Sequence, residues 1–169
     1  MKKLFVMLGL LPFATAAFAQ DSAGTVARWG SIVGVITAVN VDNPVGNISS
    51  GTFAWSARTG HAEVNLTTGA ASFAVDGLVI NGTAFSGTPG PVTAVTGTLV
   101  CNPGRTGQAF DTEPVRLDKQ GRAQFVGEIA NIPANCANPL FLLRIATPAG
   151  AAGRWIASGA ERIVSRSGI

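Results

Sequence analysis

Histidine, cysteine and tyrosine are scarce in this 169-residue chain, which has one histidine, two cysteines and no tyrosine. Zinc normally takes several histidine or cysteine ligands, so no zinc centre is expected once the cysteines pair. Charged residues make up only 12% of the chain, and its arginines are scattered rather than clustered as a phosphate-binding surface requires. The sequence therefore predicts no metal, no cofactor and no nucleic-acid partner.

The chain also lacks an apolar run long enough to span a membrane. Its longest apolar run lies in a segment typical of a signal peptide. Lys2 and Lys3 form a basic start, Leu4–Leu11 is apolar, and Ala17-Phe-Ala19 places small residues where signal peptidase binds. The apolar run is too short to cross a bilayer as a helix. Residues 1–19 are thus predicted to be removed, with cleavage between Ala19 and Gln20. The product is expected outside the cytoplasm, secreted or periplasmic, without a stable membrane anchor.

Residues 20–169 have the length of one domain. They contain both cysteines, Cys101 and Cys136. In an oxidising compartment a single pair of cysteines usually forms a disulfide, and only one intramolecular pairing is possible here. We therefore expect one structural bridge rather than a reactive thiol.

Short alternating runs separated by turn residues dominate the rest of the chain, and no helical apolar stripe persists. The clearest run is His61–Thr67, in which Ala62, Val64 and Leu66 share one face and His61 lies on the polar one. Leu140–Ile145 is apolar except for Arg144, as in a central strand buried on both faces. The pattern predicts an all-β fold: a single antiparallel β-sandwich of about 8–10 strands, Greek-key and immunoglobulin-like, over residues 20–169.

Several finer expectations accompany this prediction. Phe53 and Trp55 should share one strand face, Trp29 should cover one end of the sandwich, and Trp155 should lie in the core. Long strands are expected at Ser31–Val41 and Val92–Cys101, and an exposed loop at Asn102–Pro114. Other predicted strands are Thr52–Ala57, Ala71–Val75, Leu78–Ile80, Val115–Leu117, Ala123–Ile129, Arg154–Ser158 and Arg162–Val164.

Candidates for catalysis are few. A Ser-His-Asp triad would need His61 as its base, but His61 is predicted to face solvent. A glycoside hydrolase would need two carboxylates about 5–9 Å apart. The candidate pairs are Asp111 with Glu113 and Glu63 with Asp76. Solvated positions are the ordinary interpretation of these acids, so no catalytic residue is assigned.

Three neighbouring segments follow one another in a defined order: Gly60–Leu66, Gly69–Leu78 and Gly87–Pro91. An alternating strand opens at glycine, a second strand ends in Val75-Asp-Gly-Leu78, and a Gly/Pro-rich loop follows. Because of this order of segments, residues 60–99 resemble the secreted chordin-type β-sandwich domains. Val79–Phe85 lacks the histidine common in those domains. The resemblance implies a Greek-key sandwich and implies no activity.

Three classes of function are compatible with these features. The leading one is an exported, non-enzymatic protein with a binding or structural role and an unidentified protein or glycan partner. The first alternative is a secreted hydrolase that uses loop carboxylates. The second alternative is a small outer-membrane β-barrel, which a leader followed by alternating strands also suits, although aromatic girdle residues are sparse.

Overall fold

A computed structural model describes residues 24–38, 41–104, 107–147 and 150–166. These residues form an all-β structure without a helix. The strands are β1 (Thr25–Gly34), β2 (Trp55–Ser56), β3 (Thr59–Asn65), β4 (Ala70–Asp76), β5 (Val79–Ile80), β6 (Ala94–Cys101), β7 (Gln108–Asp111), β8 (Val115–Arg116), β9 (Ala123–Glu128), β10 (Leu140–Ala146) and β11 (Ala152–Arg166).

Nine of these strands belong to one antiparallel sheet that curls into a half-barrel. Its strand order is β7-β6-β10-β11-β1-β3-β4-β9, with β8 also paired to β6, while β2 and β5 form a separate two-stranded sheet. A sheet of this width twists and coils, so its two margins turn toward each other and its concave face encloses a core. The two-layer sandwich and its Greek-key order are not confirmed, because a single curled sheet supplies the main core.

Aromatic rings fill the concave face. Phe141 of β10 lies 5.6 Å from Trp29 of β1 and 5.7 Å from Phe73 of β4, between ring centroids. Phe73 also stacks on Phe125 of β9 at 5.7 Å. Gly97 of β6 faces these rings, and a Cβ atom there would lie 2.8 Å from Phe73 and 2.9 Å from Phe141. Residues four strands apart in the sheet thus meet across the core.

The alternation in β3 and β4 is confirmed. Ala62, Val64, Phe73 and Val75 are buried, and His61 is exposed on the convex face. The strand β10 lies between β6 and β11, and its consecutive residues Phe141, Leu142 and Leu143 are all buried, as its largely apolar sequence predicted. Period-two patterning was decisive in β3 and β4 because each of these two strands has a single buried face.

Other expectations were wrong. Trp29 is only 1% exposed and lies within the core rather than over one end of it. β1 ends at Gly34, short of Val41, and residues 39–40 lie outside the described residues. Phe53 precedes β2 and is 37% exposed, whereas Trp55 lies in β2 and is buried, so the two are not successive inward residues of one strand.

Two further differences concern strand boundaries. The segment Asn102–Pro114, predicted as a loop, contains β7, which pairs with β6 from Thr98↔Asp111 to Cys101↔Gln108. The strand is only four residues long and lies at a sheet margin, where alternation carries little signal. The strands predicted at Arg154–Ser158 and Arg162–Val164 are one continuous strand, β11, because β1 pairs with it over most of its length.

The half-barrel has two distinct ends. At the disulfide end, β6 finishes at Cys101, β10 begins at Leu140, and residues 129–139 cross from β9 to β10. Cys101 and Cys136 are bonded there, with their Cα atoms 4.9 Å apart, as predicted. At the opposite end, where β1 finishes and β6 begins, the small sheet β2–β5 covers the core. We call this the β2–β5 end.

Candidate functional site

An apolar pocket of about 170 Å³ opens at the β2–β5 end. Trp55 and Ile80 pair across the small sheet and form its floor. The Trp55 N–H donates to the carbonyl oxygen of Val35 at 2.8 Å, which fastens the small sheet to the chain just after β1. The lining residues are Gly51, Thr52, Phe53, Trp55, Ile80, Phe85, Pro91, Val92, Ile145 and Arg154.

Phe85 is held at the pocket rim by a compact turn rather than by burial. The Phe85 N–H donates to Thr83 Oγ1 at 3.0 Å, and the Ser86 N–H donates to the Thr83 carbonyl at 3.1 Å. Gly87, with φ +80°, returns the chain so that its N–H reaches the Ile80 carbonyl at 3.0 Å. Phe85 remains 51% exposed. A fixed, half-exposed ring of this kind can pack against a partner with little loss of conformational entropy.

One charged residue, Arg154, also lines the pocket. The Arg154 guanidinium donates to the Ser50 carbonyl at 2.7 Å. Asp42 accepts the Ser50 N–H at 2.7 Å, and hydrogen bonds from Ser49 and then from Ser50 hold the pKa of Asp42 below its usual value. The Asp42 carboxylate is thus ionised, and its hydrogen bonds fix the loop that orients Arg154.

A second groove, of about 360 Å³, lies on the other side of Val92. It has two cations, Arg116 and Lys119, whose side chains make no hydrogen bond or ion pair with the described residues. Its carboxylate, Asp118, accepts the backbone N–H groups of Gln120 and Arg122 and so is used to close a turn. The groove is lined by Thr88, Pro89, Gly90, Val92, Thr93, Arg116, Leu117, Asp118 and Lys119.

Exposed apolar side chains are concentrated at this same end. Among the described residues, most of the large hydrophobic side chains that face solvent lie there, and Ile36 is 85% exposed. The members at the β2–β5 end are Val33, Ile36, Val41, Phe53 and Phe85, and those elsewhere are Val126, Ile163 and Val164. A clustered apolar surface beside an apolar pocket is typical of an interaction site, whereas scattered apolar residues are not.

The structure keeps the candidate acids Glu63 and Asp76 apart. Glu63 lies in β3 and pairs with Arg28 at 2.8 Å, whereas Asp76 lies at the end of β4, opposite Thr59. Four residues of strand separate Thr59 from Glu63, which is about 13 Å. That spacing exceeds what paired glycosidase carboxylates need.

The other predicted site residues are engaged in surface contacts. Asp111 accepts Thr98 Oγ1 at 2.6 Å and Arg144 Nη1 at 3.3 Å, while Glu113 is exposed. Asp76 pairs with Arg58, and this guanidinium is the main cause of the lowered pKa of Asp76. Ala19 and Gln20 lie outside the described residues.

No family model matches the chain, and no curated protein and no solved structure is significantly similar to it. The resemblance to chordin-type domains therefore stays a prediction. In the described part of the chain there is no helix that could span a membrane, and no group of three or more histidine, cysteine or acidic side chains is placed to hold a metal ion.

Sequence reasoning missed the residues that form the pocket. Phe53 and Phe85 were not predicted to act together, and Arg116 and Lys119 were not singled out. One signal was present: Phe85 is a large aromatic residue inside a turn segment that runs from Asn81-Gly82 to Gly87. An aromatic residue among turn formers has no regular strand face to pack on, so its exposure could have been expected.

Proposed function

We propose that this protein is an exported, non-enzymatic binding protein that engages its partner through the β2–β5 end. The observation that carries the proposal is the apolar pocket of Phe53, Trp55 and Phe85, surrounded by further exposed apolar side chains. The pocket would take an apolar group of the partner, and Arg154 offers a hydrogen-bond donor at its rim. The partner itself is a protein, a glycan or another molecule with such a group.

Two observations support binding rather than catalysis. The acids considered for hydrolysis include Glu63, Asp76 and Asp111, and all three pair with arginines. An arginine beside a carboxylate favours its charged form, whereas a general acid needs a raised pKa. His61 lies on the convex face and does not line the pocket. The hydrolase alternative has no comparable observation in its favour.

The pocket can be tested with a small neutral probe. Its volume is close to the roughly 150 Å³ of an apolar cavity that binds benzene in another protein. We expect toluene, titrated into the isotope-labelled protein, to shift the amide resonances of Trp55, Ile80 and Phe85. The variant Phe85→Ser should weaken this binding several-fold, whereas Val126→Ser, at an exposed position on β9, should not. Toluene shifts that spread evenly over the surface, or none at all, would refute the proposed site.

Export is a separate part of the proposal. We expect the exported protein to begin at Gln20, because the small side chains of Ala17 and Ala19 suit signal peptidase. Support comes from the bonded pair Cys101–Cys136, since such bridges persist in oxidising compartments. Intact-mass measurement of protein from the periplasm and the medium checks this. Recovery of the chain only inside the cytoplasm, with residues 1–19 retained, would contradict it.

A further inference from the structure

We infer that the β2–β5 end docks reversibly on the surface of an anionic lipid bilayer. The inference rests on the proposed function and names the partner as a lipid surface. It is drawn from three features of this end: apolar side chains that project beyond the pocket, unpaired cations beside them, and a rigid backbone that presents both.

The apolar side chains at this end extend further than a small ligand in the pocket could cover. Ile36 is 85% exposed and Val41 is half exposed, yet neither lines the pocket. Together with Phe85 they form protruding points on one end of a compact domain. Such side chains can enter the boundary between lipid headgroups and acyl chains, where aromatic and aliphatic residues of peripheral proteins lie. A soluble ligand of pocket size would leave Ile36 in water.

Two cations at this end, Arg116 and Lys119, are complementary to anionic lipid headgroups. Arg116 and Lys119 stand in the second groove without a carboxylate partner among the described residues, and Val92 is common to the groove and the pocket. The nearest acid of that groove, Asp118, is directed into its own turn. A cation next to an inserted apolar group is the arrangement that favours anionic over neutral membranes.

The backbone beneath these residues is held in place. The Val35 N–H donates to Ile156 and the Val35 carbonyl accepts Trp55, so the segment that carries Ile36 is tied to β11 and β2. The Leu117 N–H donates to Thr93 at 2.8 Å, which joins the cationic strand end to the pocket wall. Apolar and cationic groups therefore present one preformed surface, and docking needs little reordering.

Vesicle co-sedimentation of the exported protein tests the inference. We expect binding to vesicles of phosphatidylcholine and phosphatidylglycerol in equal parts, at least tenfold stronger than to phosphatidylcholine alone, and weakened by 0.5 M salt. The double variant Arg116→Gln, Lys119→Gln should lose up to about 30-fold toward the anionic vesicles and change little toward the neutral ones. Ile36→Ser with Phe85→Ser should weaken binding to both.

A matched control exists at the disulfide end. Ile163 is exposed there, and Arg166 is an exposed cation without an ion-pair partner among the described residues. Ile163→Ser with Arg166→Gln removes one apolar group and one charge, and it should leave vesicle binding unchanged. Equal loss in this control, or no binding of the unchanged protein to anionic vesicles, would overturn the inference. If toluene still binds the pocket in that case, only the lipid partner is wrong; if toluene fails as well, the proposed binding site fails with it.

Discussion

Breaking the Cys101–Cys136 bond should destabilise the protein strongly, because this bond closes a loop that contains both margins of the curled sheet. The chain between the two cysteines includes β7 and β8 at one margin and β9 at the other. The sequence separation is 35 residues. For a loop of that length the chain-entropy relation predicts about 3.8 kcal/mol of stabilisation at 25 °C.

The structure also predicts which residues lose most local stability when the bond is broken. Among the described residues at the disulfide end, no strand pair joins β9 to β7, and residues 129–139 cross the gap. Once the bond is broken, the crossing segment is held by few backbone hydrogen bonds, chiefly from Asn102 to Ala137 and from Ile129 to Gly69, each 2.8 Å. We expect the amides of residues 130–139 to lose protection from hydrogen exchange first, before those of β10.

Urea unfolding of the oxidised and the reduced protein in otherwise identical buffers measures the covalent contribution. A loss of about 3.8 kcal/mol corresponds to a fall in Tm of about 8–15 °C for a domain of this size. Cys101→Ala with Cys136→Ala should lose more than reduction does, because Cys101 is fully buried and its sulfur also packs in the core. A change below about 1 kcal/mol on reduction would refute the loop-closure reasoning.

Three other substitutions test the fold. Gly97→Ala should cost about 1–3 kcal/mol in urea unfolding because its new methyl group meets Phe73 and Phe141, whereas Gly104→Ala, with no neighbour within 4 Å, should cost far less. His61→Ala should change stability by less than about 1 kcal/mol, and a larger loss in thermal unfolding would contradict its exposed position on the convex face. Asp76 has a lowered pKa in the folded protein, so its contribution to stability is present above the unfolded-state pKa of about 3.9 and disappears as the pH falls through the lower folded value. Asp76→Asn should therefore lose less stability than the unchanged protein between about pH 4 and pH 2, and parallel pH profiles would argue against the ion pairs with Arg58 and Arg122.

The sequence by itself determined the strand class, the buried faces of β3 and β4, the central position of β10 and the pairing of the two cysteines. These properties depend on local information: a period of two residues, a largely apolar run, and the absence of any other thiol. The shape of the sheet was decided only by tertiary structure. Whether a set of strands forms two layers or one curled layer depends on which strands pair, and pairing joins residues as distant as Thr25 and Arg166.

The same reason explains the errors at Trp29 and β7 and the missed pocket. Trp29 is buried because β11 and β3 flank it on either side and Phe141 packs on its ring, none of which is near it in the chain. β7 is a strand because β6 supplies its hydrogen bonds, although its own four residues are too few to show a pattern. Phe53 and Phe85 line one pocket because β2 pairs with β5. Local sequence determines which residues can be buried or exposed, but long-range pairing determines which of them meet.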